Sequence, residues 1–559
     1  MSVRPAPQAF FFWVQFDRVG GMMREKIRQC IKDAIREKYG DATVPDFSVA
    51  PPENLEHGDY ATNVALLLAK SLKKNPMDVA QEIVAHLNTE HWNAEVALPG
   101  FINFHLGLAV LHDGLKTVLL EKERFGAGDF GKGKSARVEY ISANPTGPIH
   151  IGNARGGPIG EVIARVLEKS GYDVLREYIH NDAGTQVEKM GATLWYWYRT
   201  QLGEEEVFPE GGYQGEYLRE VADAAIRTEG RSLDLGRITA FGLDYIYREN
   251  MDVARRLGIS FDHVIKESEL LSSGKTATVV EELKKKGVIT EREGAQWFAP
   301  GDEFLEDRES VVVRSTGQPT YFASDIAYHK EKFTSDTDLV VNVFGSNHHG
   351  HVPKLQALTK MFGFNPAHFF VVLYQYVRVK RGSEVVKMSK RAGTYVTAQE
   401  VLDEVGPDAL NFFLLTHAPS THMDFDLDLA KERSQQNPVY YVQYAHARCA
   451  SILRTAQDVQ HEAHSTTLNL LKEKEELDLI KKMLHLPEVI ADTAHDFQVQ
   501  RVPHYALDLA RVLHHFYEKH RVITDDAALT AARLALVAGV QIVLRNTLGL
   551  MHIDSPETM

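Results

Sequence analysis

VEYISANPTGPIHIGNARGGPIGEVIARVLEKSGYDVLREYIHND, residues 138–182, is the stretch on which the fold turns. Residues 138–141 are a short apolar run of strand formers, and SANPTGP is turn chemistry. A helix is expected from Ile151. Its apolar residues Ile159, Val162, Ile163, Val166 and Leu167 fall at i, i+3, i+4, i+7 and i+8, which is one helical face. Gly171 sits where such a helix stops, and 174–179 resumes a strand. A strand–loop–helix–strand unit of this kind puts its loop at the carboxyl end of a parallel sheet, where α/β folds bind ligands. At that mouth stand His150, Ile151, Gly152 and Asn153. A helix N-terminus suits a phosphate, Gly152 permits close approach, and His150 and Asn153 add side-chain donors.

The 559 residues, 44% hydrophobic and 25% charged, make room for three or four domains. Two cysteines, Cys30 and Cys449, are too few for a disulfide framework or a zinc ribbon, and they fit a reduced cytoplasmic setting. No apolar run reaches the length needed to span a membrane, so none is expected to do so. The net charge of −14 argues against an overall cationic surface but leaves room for a local phosphate-binding patch.

Residues 1–22 contain QAFFFWVQF, too short for a signal-peptide core and interrupted by Asp17-Arg18. They read as an extension upstream of a start at Met22 or Met23. From Met23 a helix stripe runs through Ile27, Cys30, Ile31, Ala34 and Ile35 to Gly40. A second helix is expected at 58–70 and a half-buried strand at 99–106, giving a small α+β domain over 23–110. The glycine-rich stretch 122–136 contains a full Walker A pattern, Gly128 to Ser135. A phosphate loop must open a helix, whereas ARVEYIS follows here as a strand, so 111–136 reads as a flexible linker. Residues 186–255 carry helical periodicity, an insertion in a domain spanning 137–400. The apolar strand VVNVFG ends in a cluster holding His348, His349 and His351, with no acidic neighbour in sequence to favour a metal. After a connection at 401–430, the segment 431–559 is helical throughout. Asn437 and Pro438 open its first helix, and further helices are expected at 470–485, 502–520 and 527–550.

SANPTGPIHIGNARG with GYDVLREYIHNDAG, together with TGQPTYFASDIAYHKEKF and VVKMSKRAGTYVT, resembles the arginyl-tRNA synthetases among the class I aminoacyl-tRNA synthetases. The resemblance runs over 23–559. Asn153 stands where most members have a second His, Asn347 where most have Asp, and Thr316 where Asp is usual. The fold it implies is α/β: a Rossmann-type class I catalytic domain, an N-terminal α+β domain and a C-terminal all-α helical bundle. The activity it implies attaches L-arginine to tRNA(Arg) with ATP through an arginyl-adenylate.

The same resemblance implies the site. His150, Gly152, Asn153, Lys387 and Lys390 would carry catalysis, and Pro148, His348, Met388 and Ser389 would join them around ATP. The lysines would meet charge building on the leaving pyrophosphate. Arginine would meet Glu139, Ser142, Asn144, Tyr321 and Asp325, since carboxylates answer a guanidinium fork with paired hydrogen bonds. Transfer RNA would touch Phe101, Asn103, Tyr444, Arg448, Arg533 and Arg545. Mg²⁺ would enter as the ATP counter-ion, with no structural metal, and the protein would be a cytoplasmic monomer. Two rivals remain at this stage. A related class I synthetase would share both nucleotide motifs but not an acidic side-chain pocket, and an RNA-binding derivative would have lost the chemistry.

Overall fold

A computed structural model describes residues 22–40, 44–52, 57–88, 90–301, 309–382, 384–386, 396–456 and 465–559. The extension expected at 1–22 lies outside these residues except for Met22.

Five parallel strands form the central sheet, in the order Phe369–Tyr374, Leu339–Gly345, Ser135–Glu139, Asp173–His180, His263–Lys266. Strand Ser135–Glu139 lies in the middle with Ala136, Val138 and Glu139 buried, and the apolar run at 138–141 continues past its end into the turn that follows. Alternate residues serve opposite faces. Val138, Val341 and Val343 join the core shared with helix Gly156–Lys169, while Val340 joins the cluster around helix Tyr321–Lys332. The stripe Ile159, Val162, Ile163, Val166, Leu167 is at most 1% exposed, and each such side chain contributes about 1.5–3 kcal/mol by leaving water. Gly160 permits the contact: a Cβ there would lie 2.2 Å from the ring of Tyr140.

Three helices, Thr185–Gln201, Tyr217–Glu229 and Leu235–Arg256, pack on one another around their own core. The stretch 111–136 is not a loose linker. Leu108–Glu121 is a helix with Leu111, Leu115 and Val118 buried in the main core. Gly128 N and Gly131 N then bond the carbonyls of Lys169 and Ser170, so the Walker-like loop is pinned to the end of helix Gly156–Lys169. It leads into strand Ser135–Glu139, so it opens no helix.

In the N-terminal domain a four-stranded antiparallel sheet carries helices Met23–Tyr39, Val64–Leu72 and Pro76–Val84. Strand Phe101–Leu106 is where the alternation puts it. The helix expected at 58–70 begins only at Val64, because Tyr60–Thr62 pairs with Ile102–Phe104 as a strand. This domain is fastened to the C-terminal helices by polar groups. Arg24 pairs with Asp492 at 2.8 Å, Lys481 with Asp59 at 2.7 Å, and the Tyr60 hydroxyl donates to the buried Glu488 at 2.8 Å.

The bundle comprises Pro438–Ala456, Lys474–Leu484, Leu486–Asp496, Arg501–Lys519 and Ala527–Leu550. Leu486–Asp496 was not foreseen: Pro487 looks like a terminator but occupies the first turn of a new helix, where a missing N–H costs nothing. Ala527–Leu550 corrects a second expectation. It is long and apolar enough to cross a bilayer by composition, yet Leu536, Val540, Val543 and Leu544 are fully buried among the other helices.

Candidate active site

Immediately after Glu139 the chain turns through two left-handed residues, Ile141 at φ 65° and Ser142 at φ 38°. Such non-glycine conformations are unfavourable and persist where the surroundings enforce them. Here the turn brings Ser142 Oγ to Glu139 Oε1 at 2.9 Å, while the same oxygen accepts from Ile179 N at 3.2 Å. His150 caps the helix that follows, its Nδ1 accepting from Asn153 N at 3.2 Å. The neutral ring therefore presents Nε2 as a donor, and the amides of this short turn are partly satisfied by His150 itself. Gly152 has a local reason as well, since a Cβ there would lie 3.0 Å from the His150 ring.

Glu139, Ser142, Asn144, Asn153, Tyr321, Asp325 and His348 line one cavity of about 210 Å³ at the carboxyl end of the sheet. Seven residues expected from sequence thus converge. His150, Gly152 and Pro148 do not line it. The sequence reading missed Asn181, Ser324, His351 and Tyr374, which do. A larger cavity of about 450 Å³ lies between Met22, Phe125, Phe130 and Ile490, but its lining brings no catalytic set together.

The cavity is acidic, and its acids are held from behind. Asp325 accepts from His329 Nδ1 at 3.0 Å. Burial alone would discourage its charge, yet the donors around it, His329 first, keep its carboxyl below the usual range. Glu139 is 2% exposed and ion-paired with the fully buried Lys332 at 2.5 Å. Beside it Glu177 meets Arg137 at 3.3 Å. The nearby carboxyl of Glu267 is pushed up to about 7 by burial, with Asp182 and Asp325 adding repulsion. Burial lowers the imidazole pKa values of His348 and His351, so both are neutral near pH 7. Tyr321 stands half-exposed at the rim. Two signals for this arrangement were present in sequence. Tyr321, Asp325, His329 and Lys332 share one helical face, and Asn342 interrupts an otherwise apolar strand.

Lys387, Met388, Ser389 and Lys390 lie outside the described residues. The segment immediately beyond them is in place. Val396 O accepts from Ile151 N at 3.1 Å and Ala398 N donates to Ile149 O at 2.8 Å, an antiparallel bridge between His150 and Thr397. Thr397 also caps helix Ala398–Val405 in a reciprocal pair with Glu400.

The residues expected to meet RNA divide. Phe101 is 37% exposed, whereas Asn103 is 7% exposed in mid-strand between Ala61 and Glu95. Arg448 lies over the ring of Tyr517, 4.9 Å from its centre, rather than against Tyr444. With Tyr441 and His514 these two residues line a cavity of about 250 Å³ on the bundle surface. Tyr444 stacks parallel to Tyr440. Arg533 sits deep in the bundle. It is 7% exposed, bonds Glu476 at 2.8 Å and caps the Arg521 carbonyl, so it braces the bundle. Arg545 remains partly exposed near Glu557.

Three family models match the chain. They are described as "Arginyl tRNA synthetase N terminal domain" over residues 25–106, "tRNA synthetases class I (R), catalytic domain" over 114–414, and "DALR anticodon binding domain" over 442–559. The arginine–tRNA ligase of Heliobacterium modesticaldum is 42% identical over 532 residues, covering 92% of this chain and 94% of that protein. The arginine–tRNA ligase of Citrifermentans bemidjiense is 41% identical over 555 residues, covering 96% and 100%. Among solved structures, the arginyl-tRNA synthetase of Thermus thermophilus superposes with a TM-score of 0.76 at 23% identity, covering 96% of this chain and all of that one.

Proposed function

Because the chain belongs to the class I arginyl-tRNA synthetases and is an arginine–tRNA ligase of protein synthesis, we propose that the 210 Å³ cavity is where arginine is held. Asp325 and Glu139 would take the guanidinium, with Tyr321 at the rim. Asn144 would meet the backbone end of the amino acid. Ser142 would act through Glu139, since its hydroxyl is already engaged. What supports this is the convergence in one cavity of two carboxylates that are distant in sequence, each backed by a buried donor.

ATP would lie along the mouth between His150 and His348, with Asn153 and Pro148 beside it. The arginine carboxylate attacks the α-phosphorus, the bond to the β-phosphate oxygen breaks, and pyrophosphate leaves. Lys387 and Lys390 would stabilise that departing charge. Mg²⁺ would enter with ATP as its counter-ion, and among the described residues no group of three or more His, Cys, Asp or Glu side chains could hold a metal. A terminal ribose hydroxyl of tRNA(Arg) then attacks the arginyl carbonyl and AMP departs. Positioning and charge stabilisation carry both steps, and no general base is nominated.

Transfer RNA would meet Phe101 in the 23–110 domain and Tyr444, Arg448 and Arg545 in the 431–559 bundle. The protein would act as a cytoplasmic monomer, and activation would depend on bound tRNA. Charging assays with each amino acid, with and without total tRNA, test the scheme. Arginine-dependent charging is expected, and pyrophosphate exchange at full rate without tRNA would refute the coupling.

A further inference from the structure

We propose that Lys332, Asn342 and His329 form a buried positioning relay that fixes the proton of His329 on Nδ1 and leaves Asp325 as the one uncompensated negative charge offered to the substrate. The inference rests on the reading of Asp325 as an arginine-binding group.

Sheet register creates the relay. Asn342 and Glu177 are both paired with Glu139 across adjacent parallel strands, so the three side chains stand in one row on one face. Helix Tyr321–Lys332 lies over that face and adds His329 and Lys332. His329, Lys332 and Asn342 are each 0% exposed. Polar groups so deeply buried are costly unless satisfied, and these satisfy one another.

The direction of every bond follows from Lys332, whose ammonium can only donate. It donates to Glu139 Oε2 and to Asn342 Oδ1, the latter at 2.9 Å. That contact fixes the amide, so Asn342 Nδ2 must be the atom 2.7 Å from His329 Nε2. An N–H₂ group facing Nε2 requires a bare lone pair there. The single ring proton is therefore on Nδ1, which faces Asp325 Oδ1 at 3.0 Å and the Asp325 carbonyl at 2.9 Å. A doubly protonated ring would set one N–H against another.

The charges then balance in pairs. Lys332 compensates Glu139, and Arg137 compensates Glu177. His329 gives Asp325 a hydrogen bond but no charge, so the cavity keeps one net negative charge for one guanidinium. The ionisable groups facing His329 are Asp325 and Lys332 on its own helix and His351 beside helix Val352–Met361; Phe369 and Phe333 close the remaining sides.

The test is Asn342→Asp in the full-length enzyme. Its carboxylate oxygen would replace the amide donor and draw a second proton onto Nε2. The resulting imidazolium would pair with Asp325 and consume the charge meant for arginine. Expected are an arginine KM raised about tenfold near pH 7 and falling as pH rises, with the ATP KM and kcat changed less than about twofold. Asn342→Leu adds no charge and guards against misfolding of the first variant. Its arginine KM should climb as pH falls, where the parent's stays level. An arginine KM whose pH profile parallels the parent's in folded Asn342→Asp or Asn342→Leu would overturn the relay. Asp325→Asn separates the two claims: if it leaves the arginine KM untouched, the binding role of Asp325 fails first and takes the relay with it.

Discussion

His150 and Thr397 face each other across a two-bond antiparallel bridge, although 246 positions of sequence lie between them. The bridge joins the turn that caps the first nucleotide motif to the residue just beyond the second. Val396 to Ala398 are thereby held against the turn that carries His150.

Thr397→Ala removes the hydroxyl that receives Glu400 N at 3.1 Å and with it half of the capping pair. A lost cap of this kind costs about 1 kcal/mol. The expected outcome is a urea midpoint lowered accordingly and an ATP KM in pyrophosphate exchange raised about threefold, since the anchor of the basic segment loosens. An unchanged ATP KM alongside the lost stability would show that the bridge serves the fold alone.

Asp325→Asn keeps the shape of the cavity and deletes its free charge. Losing a charge-assisted pair to a guanidinium should raise the arginine KM about a hundredfold while the ATP KM moves little. Steady-state exchange kinetics with varied arginine would reveal it.

Arg448→Ala should weaken tRNA without touching the small substrates. The guanidinium over Tyr517 is exposed and sits at the edge of an aromatic cavity. Replacing a phosphate-directed cation lowers affinity roughly uniformly across sequences and reduces the salt slope by about one. Filter binding over a series of salt concentrations measures both.

Glu488 makes stability depend on pH. Burial pushes its carboxyl up to about 7 despite the attraction of Arg24. A carboxyl raised in the folded state favours folding when protonated, so its contribution is full below the ordinary carboxylate value and is lost as pH rises through 7. The loss between pH 5 and 8 is on the order of 2–3 kcal/mol. Glu488→Gln can still accept from Tyr60 and Arg24 N, so its thermal unfolding should be flatter over that range and higher at pH 8. A parent and variant that decline together would reject the assignment.

The central βαβ unit was legible because its apolar stripe, its turn residues and its terminating glycine all agree. The arginine cavity was legible only in outline. Lys332 in YHKEKF reads as one more solvated cation, and only the register of three separated strands discloses that it lies at 0% exposure under Glu139. His150 keeps Nε2 as a donor, but its Nδ1 caps its own helix, a role more familiar for Ser, Thr, Asp or Asn. Tyr60 to Thr62 reads as the start of a helix because a strong apolar stripe follows it, and a three-residue strand leaves little periodicity of its own. Arg533 is paired with Glu476 from another helix, a contact that no single segment of sequence discloses.

The fastening of Arg24, Asp59 and Tyr60 onto Lys481, Glu488 and Asp492 has an effect during synthesis. The N-terminal module leaves the ribosome hundreds of residues before its counterpart exists. At about 5–20 residues per second it waits tens of seconds with Tyr60 and Arg24 facing water. Maturation of the enzyme thus waits on the arrival of two late helices, and a nascent chain stalled short of them would carry an unclasped head.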